Sequence, residues 1–402
     1  MKYLLGVDFG GGASKATLLD ERGQIVCTAT SEYPMLYPNN GWAEQEPESI
    51  YQAFVRNVKS ILGRSGVSAE EIAALSLDGG THIAVLLDEK NEVIRPAIYW
   101  SDTRSAQQAG ALKEHSEAIM KLSMNSPSAI WTLPQLMWLR ETEPENYKRI
   151  AHILFLKDYI RFRITGDMVT DSIEAMGAML LDANTGEWNP WLCGLCGIRV
   201  DQLPEIREPV DIIGTPLRAV CQETGLSPHT QVCAGATDTV MEVYASGAVR
   251  PGQMTLKLAT AGRICPITDH AIVDPLLVCY RHVIPGLWYP GTATKTCASS
   301  MRWYRDVLGG GSKSPLWRQI VADVLNIPLC QSLTDDSSVG SAMLAGVACG
   351  VFSSFEESVA VCSRTGGLVE PNPANRQKYD DYFGIYRRVH DALEGIYHDL
   401  NR

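Results

Sequence analysis

The chain has 402 residues, 45% hydrophobic and 20% charged, with a formal net charge of −11; that length exceeds one ordinary core, so two domains are expected. No apolar run is long enough to cross a bilayer, and no basic stripe or block of like charge marks a nucleic-acid partner, so neither a membrane nor a nucleic acid is expected. An acid at Asp8 comes too early for a signal-peptide core, and 11 cysteines scattered from Cys27 to Cys362 inside apolar runs suit buried thiols, so a mature, cytoplasmic protein is expected.

The chain opens on Gly6-Val7-Asp8-Phe9-Gly10-Gly11-Gly12-Ala13-Ser14-Lys15, an apolar strand, a turn of three glycines with an acid at its mouth, and a second strand. Such a hairpin aims backbone N–H groups and one cation at a point beside a carboxylate, which suits a metal-bearing phosphate; an ordinary glycine-rich hairpin is an equal reading of these residues alone. Residues 24–30 read as a third antiparallel strand. Gly41-Trp42-Ala43-Glu44-Gln45-Glu46-Pro47-Glu48 then leads into a helix over 49–62, with Pro47 and Glu48 favourable at its first turn.

A buried strand over 72–77 ends in Asp78-Gly79-Gly80-Thr81-His82, and a further strand covers 83–87. The hydroxyl of Thr81 and the imidazole of His82 at a strand mouth suit a sugar-sized ligand, and a satisfied structural histidine is the alternative. Trp100, Asp102 and Arg104 follow in a loop as an apolar ring, an acceptor and a bidentate donor; they serve either a polyol or a local ion pair. Helical periodicity covers 105–122 and 132–142, with Trp131 just ahead of the second, and residues 155–166 read as a helix closed by Gly166. Cys193 and Cys196 form a C-x-x-C pair without partners at zinc spacing, and a chance pair on an amphipathic helix outweighs a metal or redox site.

Gln231-Val232-Cys233-Ala234-Gly235-Ala236-Thr237-Asp238 repeats the opening theme, and Asp238 stands at a strand-to-helix junction as either a catalytic acid or a helix cap. Beyond a hinge at 249–252 a second strand, small-residue turn and strand run through Thr260 and Gly262. Domains over 1–248 and 249–402 are expected to clamp one ligand. Gly309-Gly310-Gly311 precedes a helix over 315–325, where free N–H groups and the helix dipole favour a nucleotide.

These pieces together resemble the FGGY family of carbohydrate kinases, xylulokinases and their near relatives in particular. The resemblance rests on the Asp8 to Lys15 turn, Trp42-x-Glu44-Gln45-x-Pro47, Arg95-Pro96-Ala97-Ile98 with Trp100-x-Asp102-x-Arg104, Lys157-Asp158-Tyr159, Gly235 to Asp238, and Gly309 to Trp317, all in the family's order. It implies an α/β, two-domain actin-like or ribonuclease-H-like ATPase fold and ATP-dependent phosphorylation of a sugar hydroxyl. By the same resemblance Asp238 would be the general base and Asp8 would hold Mg²⁺. Gly10, Gly11, Gly12 and Lys15 would stabilise the transferring phosphoryl group. Thr260 and Gly262 would cradle the nucleotide phosphates and Gly310 and Gly311 the adenosine, while Thr81, His82, Trp100, Asp102 and Trp131 would line the sugar pocket.

The chain departs from this pattern in ways that matter. Gly11 and Gly12 stand where the family has Thr and Ser, Gly80 and Thr81 where xylulokinases have Gln and Met, and Thr239 where they have Asn. After Asp306 only Val307-Leu308 precedes the glycine triplet, so most of the middle of the second domain is missing and that domain is expected to be incomplete. Two functions then compete: a working kinase of a pentulose such as xylulose, and a shortened, non-catalytic sugar- or phosphate-binding relative. The second domain is expected to be loosened or completed by another subunit, and a homodimer is one assembly this reading allows.

Overall fold

Alternation along the first strand sets the architecture. Leu5, Val7 and Phe9 point to one face of β1 (Tyr3–Phe9) and join a core with Ile50, Phe54, Val58 and Ile61; Leu4, Gly6 and Asp8 point to the other. In the computed structural model, which describes residues 1–258, 262–294, 315–334 and 336–400, β1 continues through the glycine turn into β2 (Ala13–Asp20) and β3 (Ile25–Glu32), as an antiparallel meander in which Asp8 lies opposite Lys15. The apolar stripe behind this sheet belongs to α1 (Pro47–Ser65). It starts with a proline in its first turn and ends at Gly66 in the left-handed conformation, φ 70°.

On its other edge β1 pairs in parallel with β4 (Ile72–Gly79), with Asp8 in register with Asp78. β5 (Ala84–Leu87) leaves the turn after β4. The helix α2 (Thr132–Thr142), the strand β6 (His152–Phe155), the helix α3 (Leu156–Thr165) and the short α4 (Ser172–Gly177) follow, and β5 and β6 pair antiparallel. Beyond them come β7 (Ile212–Gly214), β8 (Gln231–Cys233), β9 (Ala236–Thr237) and α5 (Asp238–Ala245). The main sheet runs β7-β8-β4-β1-β2-β3, with β9 also on β4. The helical pattern at 105–122 is broken into Ala106–Ala111, a 3-10 turn Leu112–His115 and Ser116–Ser123. Gly110 stands just before that change of pitch, in a position costing about 1 kcal/mol against alanine.

A late element of this body, α6 (Ser337–Ala348), comes from nearly ninety residues beyond the hinge and lies against β1, β2 and β4. Two glycines admit it. A Cβ on Gly6 would lie 2.0 Å from the Ser338 carbonyl oxygen, and one on Gly340 would lie 2.2 Å from the carbonyl oxygen of Met241 in α5. The helix is seated backbone to backbone, at distances no side chain tolerates.

By contact the chain forms two units. The first comprises Met1–Leu256, Ile264–Thr292 and Thr334–Ser363; the second comprises Lys257–Arg263, Ala293–Leu333 and Arg364–Arg402. Within the second, a helix Pro315–Leu325 is followed by a two-stranded antiparallel sheet, Leu329–Ser332 with Thr365–Val369, and a long helix Arg376–Leu400. Thr260, Gly310 and Gly311 lie outside the described residues, and Gly262 begins the strand Gly262–Pro266. No helix among the described residues is long and apolar enough to cross a membrane.

Candidate functional site

The carboxyl ends of β1, β4 and β9 lie side by side, since Asp8 is in register with Asp78 and Asp78 with Ala236. Strand ends of this kind, facing helix N-termini, are where open α/β sheets bind ligands. Asp8, Asp78 and Asp238 are brought together there. Asp238 is the first residue of α5, where the helix dipole favours a carboxylate, and its Oδ1 accepts from the Thr239 amide at 2.5 Å and the Thr239 hydroxyl at 3.1 Å.

Sequence reasoning missed two further acids. Asp78 is fully buried; its Oδ2 accepts from the Ser341 hydroxyl of α6 at 2.5 Å, and its register places it beside Asp8. Asp336 caps α6 by accepting from the Ser338 amide at 3.0 Å, and it forms an ion pair with Lys15. Burial, reinforced by the charges of Asp238 and Asp336, pushes the Asp8 carboxyl up to about 7, and burial beside Asp8 raises Asp78 well above the usual carboxylate range. The signal for Asp336 was its place before the small-residue run from Ser337, an N-cap position. Nothing local to Asp78 announced that parallel pairing would set it beside Asp8.

The glycine turn is fixed from behind. The Tyr33 hydroxyl donates to the Gly10 carbonyl at 2.6 Å, the Tyr33 amide to that of Gly12 at 3.1 Å, and the Gln45 amide group to that of Gly11 at 3.0 Å. A Cβ on Gly11 would meet the Tyr99 hydroxyl at 2.9 Å, whereas one on Gly12 would meet nothing within 4 Å.

Thr81 and His82 lie in the turn between β4 and β5. The His82 backbone has φ 51°, a left-handed conformation that costs a non-glycine residue about 1–2 kcal/mol, and it is held at both ends: its N–H donates to Glu174 of α4, and its carbonyl accepts from the Thr132 hydroxyl at 2.8 Å. Its ring packs 4.9 Å from that of Trp131 and is hydrogen-bonded to the Ile130 backbone, and burial lowers its pKa to about 3, so the imidazole is neutral. His82 Nδ1 and Thr81 Oγ1 are buried without a partner. Trp131 is buried and donates from Nε1 to the Ser126 carbonyl at 2.8 Å.

Trp100 stays 42% exposed beside Tyr99. Asp102 is placed differently. Its carboxylate is buried and accepts from the Ala43 amide at 2.6 Å and from the Arg104 amide, Nε and guanidinium at 2.8–2.9 Å, so the chain itself takes up both oxygens. Arg104 is stacked 3.8 Å over Trp42 and also bonds Glu44, which ties the Trp42 and Trp100 motifs into one scaffold.

Comparison with known proteins gives the family. The model for the N-terminal domain of the FGGY family of carbohydrate kinases matches residues 3–244, and that for its C-terminal domain matches residues 307–349. The chain belongs to the FGGY family. FGGY carbohydrate kinases are phosphotransferases with an alcohol acceptor and use ATP. A xylulose kinase from Bacillus subtilis is 25% identical over 489 aligned positions, which take in 98% of each chain; since this chain has 402 residues, at least 87 of those positions are empty in it. A xylulose kinase from Escherichia coli is 30% identical over 307 positions, 76% of this chain and 63% of that protein. Among solved structures, a ligand-bound xylulose kinase from Lactobacillus acidophilus superposes with a TM-score of 0.94 at 20% identity, covering 100% of both chains. The two-domain α/β actin-like ATPase fold of the FGGY kinases is thus the fold of this chain.

The Lys157-Asp158-Tyr159 motif, in which the sequence showed no chemistry, is the head of a buried charge network. Lys157 bonds Asp158 and, at 2.6 Å, Asp171; Arg161 bonds Asp158 at 2.9 Å. Cys193 and Cys196 lie on the helix Pro190–Cys196, where burial pushes their thiols up to about 11 and about 12.

Proposed function

We propose that this FGGY kinase transfers the γ-phosphoryl group of ATP to a hydroxyl of a pentulose such as xylulose, with Asp238 as the general base. The observation that carries the reading is the meeting of Asp238 with Asp8 at the carboxyl ends of β1, β4 and β9, next to a turn that presents Lys15. A carboxylate at a helix N-terminus can take the proton of an attacking hydroxyl. Lys15 and the backbone of Gly10 to Gly12 would stabilise charge on the transferring group. Gly262, together with Thr260, Gly310 and Gly311, is proposed for the nucleotide. The domains proposed for these roles are 1–248 and 249–402, and buried free thiols such as Cys193, Cys196 and Cys233 support a cytoplasmic setting.

The donor set fits a magnesium ion carried by phosphate. Asp8 Oδ1 and Asp78 Oδ1 are buried without partners, and the concentration of acid that raises both carboxyls is relieved by a divalent cation. Among the described residues no group of three or more His, Cys, Asp or Glu side chains is arranged to hold a metal. Asp8 would therefore hold Mg²⁺ mainly through water, the ion neutralising phosphate charge, as is usual where substrate supplies much of the coordination. For the sugar, Thr81 Oγ1 and His82 Nδ1 are the buried atoms left to bond a hydroxyl, with Trp131 and Trp100 as apolar walls and Asp102 holding the loop that carries Trp100.

A second reading, a binding relative without turnover, is favoured by two observations: Lys15 is already paired with Asp336, and at least 87 aligned positions of a full-length relative are empty here. Calorimetric titration with Mg–ATP and with D-xylulose, followed by an ADP-release assay on the same sample, separates the two. Turnover that falls by about 10³-fold or more in Asp238→Asn, with both ligands still bound, supports the kinase. Sugar binding without nucleotide binding or turnover would leave only the second reading.

A further inference from the structure

The helix α4 presents two residues to the turn that carries Thr81 and His82. Glu174 and Gly177 are three apart and therefore share one face of the helix. Glu174 accepts the His82 N–H, while Gly177 is where the turn comes closest: a Cβ there would lie 2.7 Å from Thr81 Oγ1 and 3.2 Å from His82 Cδ2. Glu174 is itself 1% exposed, and its surroundings include the buried Lys157, Asp158 and Asp171. Asp171 also caps α4, accepting from the Ile173 amide at 2.9 Å and the Glu174 amide at 3.0 Å.

A buried carboxylate is costly to keep, and this one faces no reacting group. It accepts from one backbone N–H, that of a residue in a left-handed conformation which must be held by its surroundings. The conformation matters because it decides where the imidazole and the neighbouring hydroxyl stand. The Lys157 network fixes α4, α4 fixes the turn, and the turn sets the two polar atoms left unpartnered in the wall.

We infer that Glu174, with Gly177, is a positioning device for sugar recognition: it sets the depth of Thr81 Oγ1 and His82 Nδ1 and so selects the sugar without touching it. This rests on the reading that Thr81 and His82 line the sugar pocket. Replacing Glu174 shifts the turn and weakens sugar binding, while nucleotide binding is left alone.

The test is titration calorimetry of the full chain with D-xylulose and, separately, with Mg–ATP. Glu174→Ala is expected to raise the Kd for D-xylulose by about tenfold while that for Mg–ATP stays within about twofold, and Glu174→Gln, which keeps the acceptor oxygen, is expected to restore most of the loss. Should Glu174→Ala fail to fold, Gly177→Ala decides, because its methyl group crowds Thr81; a sugar Kd raised about threefold or more at constant Mg–ATP affinity supports the inference. A folded Glu174→Ala, or in its absence Gly177→Ala, with unchanged sugar affinity or with both ligands weakened alike would overturn it. A His82→Ala variant that binds D-xylulose as the wild type does, or a wild type that does not bind it, would instead overturn the pocket reading beneath it.

Discussion

At the scale of single residues, the raised carboxyl of Asp8 makes stability depend on pH. A carboxyl whose pKa rises from about 4 in the unfolded chain to about 7 in the folded one binds its proton more tightly in the native state. Its contribution is fully present below about pH 4 and is lost as pH rises through 7. Taken by itself, Asp8 should therefore make the metal-free protein less stable at pH 8 than at pH 5, with a slope from this one carboxyl of at most about 1.4 kcal/mol per pH unit, read as the difference between wild type and Asp8→Asn. Asp8→Asn should flatten that slope in a series of thermal melts, and a slope unchanged by the substitution would refute the assignment. His82 works the other way: with its pKa lowered to about 3, the unfolded chain alone takes up its proton below about pH 6.5, so its contribution to stability is present above that pH and is lost as pH falls toward 5 and below.

At the scale of elements, the site depends on how closely α6 approaches. Gly340→Ala places a methyl group on the backbone of α5, where no side chain can yield, and should cost about 3 kcal/mol, as overpacking does at its upper end; urea denaturation would measure it. A cost below about 1 kcal/mol would mean that α6 yields at Gly340 and is not seated backbone to backbone. The same helix shows what a sequence discloses. The hairpin from Asp8 to Lys15 was legible because strand, turn and strand are neighbours in the chain, and α1 because its apolar stripe and proline start are local. The pairing of Asp8 with Asp78 depends on parallel register across more than sixty residues, and that of Lys15 with Asp336 on a helix inserted from beyond residue 334; neither leaves a periodic trace. Of the two readings the sequence left open for Asp102, the ion pair with Arg104 is the one its contacts show, with Ala43 taking up the rest, a choice that local sequence alone could not make.

At the scale of the molecule the two units are unequally built. The first has a seven-stranded sheet covered by helices; the second, among the described residues, has a two-stranded sheet and a long helix exposing Tyr382, Phe383, Tyr386 and Val389. A lone pair of strands is marginal in water. Amides of Leu329–Ser332 and Thr365–Val369 should exchange with deuterium at least about 100-fold faster than those of β1 and β4. Equal protection would show that the second unit is as stable as the first.

The late origin of α6 has a consequence for biosynthesis. β1 leaves the ribosome some 330 residues before the helix that covers Leu4 and Gly6, which at about 5–20 residues per second is roughly a quarter of a minute to a minute of open sheet. Through that interval the nascent chain holds an uncovered apolar face ending in the acids of the site, and whatever shields it must leave before residues 337–348 arrive.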